Sequence, residues 1–476
     1  MSPDISSMHI RGKAGLAVNR PVESVPTGWV WVPLNSIARQ ETGHTPSRSH
    51  PEWWGGDIPW IGIRDARLHH GGVIHDTLQT TNTLGLANSS ARLLPKGTVC
   101  LSRTASVGYV TIMGREMATS QDFVTWTCSE ALLPEFLVKA LIAEGEGLRK
   151  FGKGTTHTTI YFPEIRALHI CLPPLAEQKR IVAKLDTLNA KSVRARTDLA
   201  RIETLVSRYK QAVLSKAFSG ELTSADAAEQ NRDGAIGHPP HWRQMQLGEI
   251  ADIKSGITLG KKRKPDEQLL ELPYLRVANV QRGWLDLREM KTIEVTAREA
   301  EALILRAGDV LMNEGGDRDK LGRGWVWDGQ IADCIHQNHV FRVRLTSGTV
   351  PPRFLSYYAN EFGQKHFFDE GKQTTNLASI SKSKLSAMQV PVPPFEEAKE
   401  IVRHIESAFA MIDRLAAEAR RALELVGKLD EAILAKAFRG ELVAQDENDG
   451  SAQRLLERIR GARAAAPKVA RRRRRR

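Results

Sequence analysis

A proline-rich motif in the second half of the chain has the spacing of a catalytic loop. Residues 392–395 read VPPF, which is close to the Asn/Asp-Pro-Pro-Tyr/Phe loop of amino-methyltransferases. In that chemistry the first side chain must accept a hydrogen bond from the target amine, and an aliphatic side chain has no acceptor. Val392 occupies this position, and Leu172 occupies it in the matching motif of the first half, LPPL. We therefore interpret both motifs as proline pairs that precede helices.

A second pattern has the composition of a metal-dependent nuclease centre. Pro265-Asp266 is followed by Glu289 and Lys291, and such carboxylates hold Mg²⁺ while the lysine assists a water molecule. The first half of the chain has no equivalent, which favours a solvated strand or turn. No Gly-Lys pair belongs to a G-x-x-x-x-G-K-[S/T] phosphate loop, and the histidines within residues 69–75 lack partners at metal-ligand spacing. The residue types therefore predict no catalytic site, no metal site and no bound ATP.

Charge, cysteine usage and hydropathy describe a globular chain with a basic tail. The net charge is +13, but residues 453–476 hold eleven Lys or Arg and one acid, so +10 lies there and +3 remains elsewhere. For the six terminal arginines, solubilisation and nonspecific attraction of DNA are both open. No apolar run is long enough to cross a membrane, and four separated cysteines without a C-x-x-C motif are typical of a reducing compartment. We expect a cytoplasmic protein.

The chain contains an internal repeat. Residues 172–222 align with residues 392–442 at a constant offset of 220, without a gap, and 19 of the 51 pairs are identical. Each copy begins with a proline pair, in PPLAEQKRIV and PPFEEAKEIV, and ends with KAFSGEL or KAFRGEL. Between these limits there is no proline and almost no glycine. Each copy therefore predicts one long helix that stops at Gly220 or Gly440.

Both predicted helices carry an apolar stripe of the coiled-coil type. The stripe alternates at spacings of four and three over more than four heptads, which requires a partner helix along its length. Two matched helices in one chain supply that partner to each other, and about 40 residues form a rod of roughly 60 Å. The stripe residues that we expect to pack between the helices are Ile181, Leu185, Leu188, Leu199, Ile202 and Val206 in the first copy and Ile401, Ile405, Ile412, Leu415, Val426 and Leu429 in the second.

The segments before the helices also match, although less closely. Trp29 and Gly43 align with Trp242 and Gly256 at an offset of 213, whereas the middles of the two segments differ. Short β-rich runs alternate with helical segments and with Gly or Pro, which predicts one α/β domain repeated with different loops. The predicted fold class is mixed α/β, with two similar domains separated by two long helices.

The proline pairs, the repeated helix endings and the changes in composition divide the chain into seven segments. These are an N-terminal extension (1–24), a first domain (25–173), a first helix (174–222), a linker (223–239), a second domain (240–392), a second helix (393–442) and a C-terminal segment with the basic tail (443–476).

Over nearly its whole length the sequence resembles the DNA-specificity subunits (HsdS) of type I restriction–modification systems. The resemblance is carried by the duplicated helix starts and KAFxGEL endings, and by the opening W-x4-L-G-E-I-A at residue 242. The stretch GELVAQDENDGSAQRLLERI, at residues 440–459, is also similar to the usual C-terminal part of the family.

This resemblance implies a non-catalytic subunit with two target-recognition domains, each reading one half of a split site in double-stranded DNA. It also implies that the two long helices form an antiparallel coiled coil that sets the spacing and docks the partners. The implied partners are two adenine methyltransferase subunits (HsdM) and two restriction–translocation subunits (HsdR). S-adenosylmethionine, ATP and Mg²⁺ belong to those partners, so we expect no cofactor in this chain.

Two other classes of function remain as alternatives. One is a single-chain restriction or modification enzyme, which would need the methyltransferase or nuclease motif that the residues do not support. The other is a repeat scaffold that binds protein partners without DNA, which salt-dependent binding to one split sequence would exclude.

The residues that we expect at DNA were chosen for their hydrogen-bonding groups. Arg pairs with guanine and Asn or Gln with adenine, while loops of Gly, Lys and Thr suit phosphate. Gln121 and Gln337 align across the repeats, which favours support of the fold or a phosphate contact at these two positions. The candidates are Arg103, Thr104, Gln121, Lys153, Thr155 and Thr156 in the first domain and Lys261, Lys262, Arg263, Asn313, Arg318, Gln337, Asn338, Lys372, Thr374 and Thr375 in the second.

Overall fold

The computed structural model describes residues 9–22, 24–104, 106–151, 159–223, 238–260, 267–316, 321–370, 372–373 and 378–465. The chain divides into two compact units. Each unit includes part of both long helices, and the first unit is built from two separated segments. The first unit combines residues 1–198 with 422–476, and the second contains residues 199–421. Both divisions fall inside the long helices, so each helix contributes one half to each unit. The units therefore do not coincide with the domain boundaries expected from sequence.

The elements up to the first long helix alternate short strands with short helices. The strands are β1 (Ile10–Arg11), β2 (Leu16–Val18), β3 (Val30–Pro33), β4 (Ala38–Thr42), β5 (Trp54–Ile61), β6 (Val73–Ile74), β7 (Thr80–Thr81), β8 (Val99–Ser102), β9 (Val110–Met113), β10 (Ala118–Thr119), β11 (Phe123–Cys128) and β12 (Leu168–Leu172). The helices are α1 (Leu34–Ile37), α2 (Ile63–Leu68), α3 (Thr83–Ala87), α4 (Pro134–Glu144), α5 (Phe162–Arg166) and α6 (Leu175–Phe218), with 3-10 turns at Pro51–Trp53 and Gly145–Phe151.

The second half of the chain has a similar order of elements, with additional short strands. Its strands are β13 (Arg243–Gln246), β14 (Ala251–Ser255), β15 (Leu269–Leu275), β16 (Val280–Gln281), β17 (Trp284–Leu285), β18 (Lys291–Thr296), β19 (Asp309–Asn313), β20 (Gly315–Gly316), β21 (Gly324–Trp327), β22 (Ile335–His336), β23 (Val340–Leu345), β24 (Lys372–Gln373), β25 (Ala378–Ser379) and β26 (Gln389–Val392). Its helices are α7 (Leu247–Ile250), α8 (Ala297–Leu303), α9 (Pro352–Glu361), α10 (Gly363–Glu370), α11 (Lys382–Ser386), α12 (Phe395–Phe438) and α13 (Ala452–Ala465), with 3-10 turns at Val277–Asn279 and Glu447–Asp449.

The sheets of the two units share one topology. In the first unit a sheet runs in the order β4-β11-β8-β9-β6, and in the second unit the order is β14-β23-β19-β21. A three-stranded sheet accompanies each, β10-β5-β7 and β18-β15-β22, with the same parallel pair (β5 with β10, β15 with β22). The duplicated α/β domain that the sequence predicted is therefore confirmed by strand order.

Residues 10–18, which were predicted to lie in an N-terminal extension, belong to the first domain. β1 and β2 extend a sheet of order β1-β2-β12-β3, and Leu16 is fully buried there. The carboxylate of Glu144, also buried, accepts backbone N–H groups of Lys13, Ala14 and Leu16 at 2.5, 3.0 and 3.2 Å. Burial raises the pKa of Glu144, and these three hydrogen bonds counter the rise.

The two long helices begin and end where the repeat predicts. α6 follows Pro173-Pro174 and α12 follows Pro393-Pro394, and each helix has 44 residues. Gly220 and Gly440 lie just beyond the last turns with φ of 81° and 72°, in the left-handed region that favours glycine.

The phenylalanine of each KAFxGEL ending lies in the core of a domain. In the second unit the Phe218 ring lies 5.0 Å from that of Phe354 on α9. In the first unit the Phe438 ring lies 5.3 Å from that of Phe136 on α4. Each long helix therefore ends in the domain of the other repeat, because α6 leaves the first domain and reaches the second while α12 does the reverse.

A tryptophan hydrogen bond fixes the first turn of each long helix to the domain that precedes it. The indole N–H of Trp29 donates to Glu177 at 2.9 Å in the first unit. In the second unit the indole N–H of Trp242 donates to Glu397 at 3.1 Å. Trp29 is equivalent to Trp242 in the repeat, and Glu177 is equivalent to Glu397. The repeat therefore preserves this contact between the domain, whose sequence matches loosely, and the helix, whose sequence matches closely.

Within each unit the two half-helices run antiparallel. In the second unit Lys210 pairs with Asp413 at 2.6 Å, and Thr223, further along the chain, donates to the earlier residue Glu397 at 3.0 Å. In the first unit Asp430 accepts hydrogen bonds from Ser192 and Arg196, whereas later residues of α12 pack with earlier residues of α6.

The apolar stripe is buried in part only. Ile181, Leu185, Ile401 and Ile405, near the helix starts, are buried, and Leu188, Leu199, Ile202, Val206, Ile412 and Val426 are partly buried. Leu415 and Leu429 are 55% and 54% exposed, so their prediction as packed positions was wrong. A pair of helices covers only one narrow seam, and small residues occupy it here: Ser192 in the first unit and Ala416 and Ala419 in the second are buried.

Among the helices that the structure describes, none has an apolar stretch sufficient to cross a membrane.

Candidate nucleic-acid interface

In the first unit the predicted DNA-contacting loops meet at one edge of the five-stranded sheet. β11 is antiparallel to both β4 and β8, with Val124 opposite Thr42 and Phe123 opposite Ser102. The loops after β4 and β8 and the loop before β11 therefore lie side by side. This edge carries the predicted residues Arg103, Thr104 and Gln121.

Arg103 is held in position from two sides. Its Nη2 donates to the backbone carbonyl of Gln121 at 3.2 Å, and its guanidinium lies 4.5 Å from the ring centroid of Phe162. Partial burial lowers the pKa of Arg103, and the nearby Asp122 and Tyr161 oppose the change. A guanidinium remains charged at neutral pH, so Arg103 places a fixed positive charge at this edge.

The hydroxyl and amide groups beside Arg103 connect further loops to the same edge. Thr104 and Thr159 share a hydrogen bond of 3.0 Å, which brings the chain that follows residues 153–156 to this edge. The Gln121 side chain is exposed and accepts a hydrogen bond from the Thr45 hydroxyl at 2.5 Å. The loop after β4 is therefore part of the edge. No residue of this loop was among the predicted DNA contacts.

The second unit has the equivalent edge. β23 is antiparallel to β14 and β19, with Phe341 opposite Ser255 and Val340 opposite Asn313. β20, which follows β19, pairs with β25, and β25 pairs with β24, the strand that contains Lys372. The segments that hold Asn313, Gln337, Asn338 and Lys372 are thus brought together by the sheet.

Asn313 supports the fold and presents no group to a ligand, which corrects its prediction as a DNA contact. Its side chain is fully buried. The amide donates to the backbone carbonyl of Val280 at 3.0 Å and lies 3.4 Å from that of Val277. A buried amide that is hydrogen-bonded to backbone carbonyls is a structural group, since exposing it would leave those carbonyls unpaired.

Gln337 and Asn338 occupy the loop between β22 and β23 and are partly exposed. Their backbone N–H groups donate to Leu275 and Ile257, both at 2.9 Å, so the loop is fixed by its main chain. The neighbouring His339 contacts the Glu314 carboxylate at 2.9 Å. The side chains of Gln337 and Asn338 thus lie at the rim of the edge, where their role at DNA stays a prediction.

Nine of the predicted DNA contacts lie outside the described residues. These are Lys153, Thr155, Thr156, Lys261, Lys262, Arg263, Arg318, Thr374 and Thr375.

A glycine at each edge lets two backbones approach closely. A side chain on Gly43 would lie 2.1 Å from the Thr119 carbonyl oxygen, and one on Gly256 would lie 1.8 Å from that of His336. No Cβ fits at such distances. The glycine alignment between the repeats therefore reflects a shared packing requirement just before each candidate loop.

The motifs that resemble catalytic loops have structural roles where they are described. Val392 is buried in β26, which pairs with β13 and leads to the start of α12. Glu289 lies on the surface with its carboxylate 3.3 Å from Arg276. Among the described residues, no group of three or more His, Cys, Asp or Glu side chains is arranged to hold a metal ion.

The duplicated α/β domain with two long helices is the arrangement expected of a DNA-specificity subunit, and comparison with known families agrees. A sequence model of the type I restriction modification DNA specificity domain matches residues 26–203 and again residues 239–424. The chain belongs to this family, and it carries the domain twice.

Relatives of this chain match between about two thirds and nine tenths of its length. It is 27% identical to the type I restriction enzyme EcoKI specificity subunit of Escherichia coli strain K12, over 93% of this chain and 97% of that protein. It is 34% identical to the StySPI specificity subunit of Salmonella potsdam, over 63% and 65% of the two chains. The crystal structure of the HsdS subunit from Thermoanaerobacter tengcongensis has a similar fold, with a TM-score of 0.59, 22% identity, and coverage of 89% and 100%.

Proposed function

We propose that this chain selects the DNA sequence for a type I restriction–modification complex and is itself non-catalytic. The observation that carries the proposal is the duplicated sheet edge. Each unit gathers Arg, Gln, Asn or Thr side chains at equivalent strand ends, and these groups suit base edges and phosphates. Since the loops differ between the units, the two halves of the recognised site differ in sequence.

The partners proposed for this subunit are two methyltransferase subunits (HsdM) and two restriction–translocation subunits (HsdR). S-adenosylmethionine, ATP and Mg²⁺ are bound by those partners. Exposed apolar side chains on the long helices support helix docking by a partner, because such residues at helical spacing are costly to leave in water. They are Val193, Leu425 and Leu429 in the first unit and Leu205, Tyr209, Met411 and Leu415 in the second.

The long helices are proposed to set a constant gap between the two half-sites. A continuous helix of 44 residues has a length determined by its rise per residue, about 1.5 Å, so it is a suitable spacer.

The complex is proposed to act in the cytoplasm. Three of the four free cysteines are buried, and burial raises the pKa of Cys100 and Cys334 to about 12. Protonated buried thiols are compatible with a reducing compartment.

The methylation pattern of the host genome tests the proposal. Sequencing that detects N6-methyladenine, with and without this gene, is expected to show one split motif with two unlike halves and a fixed gap that disappears on deletion. A second measurement is binding of the purified chain with its methyltransferase partner to that motif at increasing salt. Loss of the gene without loss of any split motif, together with no preference for one duplex, would favour a scaffold that binds proteins alone.

A further inference from the structure

An exposed arginine in the loop after β4 lies on an aromatic platform in the first unit. The Arg48 guanidinium lies 3.8 Å from the ring centroid of Trp54 and 5.5 Å from that of Trp60. The two indoles pack edge to face with centroids 5.1 Å apart. A guanidinium over an indole face is attracted by the ring quadrupole, which restricts the orientation of its plane.

The platform is itself anchored to the loop that carries Arg48. The indole N–H of Trp54 donates to the Ser47 carbonyl at 3.3 Å, and the indole N–H of Trp60 donates to the His44 carbonyl at 3.2 Å. Trp60 is buried, with 6% of its surface exposed. The loop and the rings beneath Arg48 therefore form one preorganised element.

Arg48 forms no ion pair with an acidic side chain among the described residues. Its Nη2 donates to the Gln79 side-chain oxygen at 2.7 Å. Two other exposed arginines of this unit pair with carboxylates: Arg115 pairs with Asp76 at 2.8 Å, and Arg92 pairs with Glu41 at 2.9 Å. A guanidinium has five N–H donors, so Arg48 retains donors for a ligand.

This loop is joined to the candidate DNA-binding edge. Thr45, three positions before Arg48, donates its hydroxyl to the exposed Gln121 side chain. The Arg103 guanidinium contacts the backbone carbonyl of the same Gln121. Arg48 with Gln79, and Gln121 with Arg103, therefore form two hydrogen-bonded pairs that residues 45–48 connect, and their side chains are of the types that recognise base edges.

We infer that Arg48 reads a guanine in the half-site recognised by the first unit. This inference rests on the proposed DNA-recognition function and makes it specific at one base pair. A fork of parallel N–H donors matches the O6 and N7 acceptors of guanine in the major groove. The aromatic platform and Gln79 hold the fork before DNA binds, so little side-chain freedom is lost on recognition.

The test uses the full-length chain with its methyltransferase partner and a panel of duplexes. Each duplex changes one base pair of the split site that the wild-type complex methylates. R48A is expected to lose about ten- to a hundredfold of discrimination at one G·C pair of a single half-site, with the other half-site read as before. R48K keeps the charge but lacks the planar fork, and it is expected to lose part of the discrimination at the same pair.

The matched control is R115A, which removes an exposed arginine of the same domain that is paired with Asp76. It is expected to leave every base preference unchanged. Weaker binding of R48A to all duplexes alike, with a smaller salt dependence, would assign Arg48 to phosphate and overturn the inference. An unchanged profile in R48A and R48K, or a wild-type half-site without guanine, would also overturn it. A wild-type complex that prefers no split site would instead refute the proposed function.

Discussion

His336 is a buried imidazole at the second candidate edge. It has no exposed surface, and its Nδ1 lies 2.7 Å from the carbonyl oxygen of Val340, to which a neutral ring donates. Burial lowers the pKa of His336 from 6.5 to about 4, although the bond to Val340 opposes the change. Because the folded state disfavours the charged ring, the unfolded chain binds this proton first as the pH falls.

Neutral His336 is therefore expected to contribute to the stability of the second unit. This contribution is complete above pH 6.5 and is lost as the pH falls towards 4. The depression of the pKa from 6.5 to about 4 corresponds to about 3 kcal/mol. H336N should be less stable than wild type at pH 7, and this difference should narrow by about that amount by pH 4. Urea unfolding at both pH values measures it, with H339N, at an exposed site, as the control. A constant difference between H336N and wild type would contradict the assignment.

Asn313 is expected to affect stability rather than DNA specificity. N313A leaves the buried Val280 carbonyl without its donor, and such a loss costs about 1–3 kcal/mol. N338A removes a partly exposed amide at the same edge and should change the free energy of unfolding by less than about 0.5 kcal/mol. Urea unfolding of both variants makes the comparison. An N313A variant with wild-type stability and altered base preference would restore Asn313 to the DNA-contacting set.

For individual residues, the residue type predicted the chemistry of a side chain better than its location in the fold. Arg103 and Gln121 were predicted from their hydrogen-bonding groups, and the sheet places both at one edge. The burial of Asn313 depends on its contact with Val280, 33 positions earlier, which no local pattern reveals. Arg48 was not among the predicted DNA contacts, because its position over Trp54 and Trp60 depends on tertiary packing.

The repeated helix endings anchor each long helix in a domain. Phe218 is fully buried and contacts Phe354, Tyr358 and Phe362 with ring centroids 5.0 to 5.4 Å apart. The last turn of the helix, which ends before Gly220, therefore anchors the helix by placing Phe218 in an aromatic cluster of the domain. This arrangement explains why the KAFxGEL sequence is present at both helix ends.

F218A is expected to destabilise the second unit by about 3–5 kcal/mol, the usual cost of replacing a buried phenylalanine by alanine. L415A, on α12 at a half-exposed position, should cost less than about 1 kcal/mol. Both variants remove an apolar side chain from a long helix, so L415A controls for helix content. Thermal unfolding followed by circular dichroism compares them. Equal losses would mean that the exposed stripe, rather than the ending, holds the helices.

The sequence predicted the limits of the long helices but not which positions of their apolar stripe are buried. The proline pairs and glycines act locally on the backbone, so helix starts and ends were readable from sequence. A heptad stripe shows which face is apolar, whereas its burial depends on how many neighbours are present. The exposure of Leu415 and Leu429 reflects a helix pair with one narrow seam.

Across the whole chain, the first unit is assembled from two distant segments, whereas the second unit is one continuous segment, residues 199–421. The first unit needs residues 1–198 and 422–476, including Phe438 in its core. The sequence repeat predicted two domains and two helices in tandem. It could not show that each helix ends in the domain of the other repeat, because repeated sequences match either partner equally well.

Exchange of the second domain tests most directly whether each domain recognises one half-site. Residues 240–390 are replaced by the equivalent segment of a relative with a different site, leaving Phe218 and Glu397 in place to hold the new domain. The methylated motif of the host genome is then determined. One half of the split motif is expected to change to that of the relative, while the other half and the gap remain. Methylation of the unchanged motif, or a change in both halves, would contradict the assignment of one half-site to each domain.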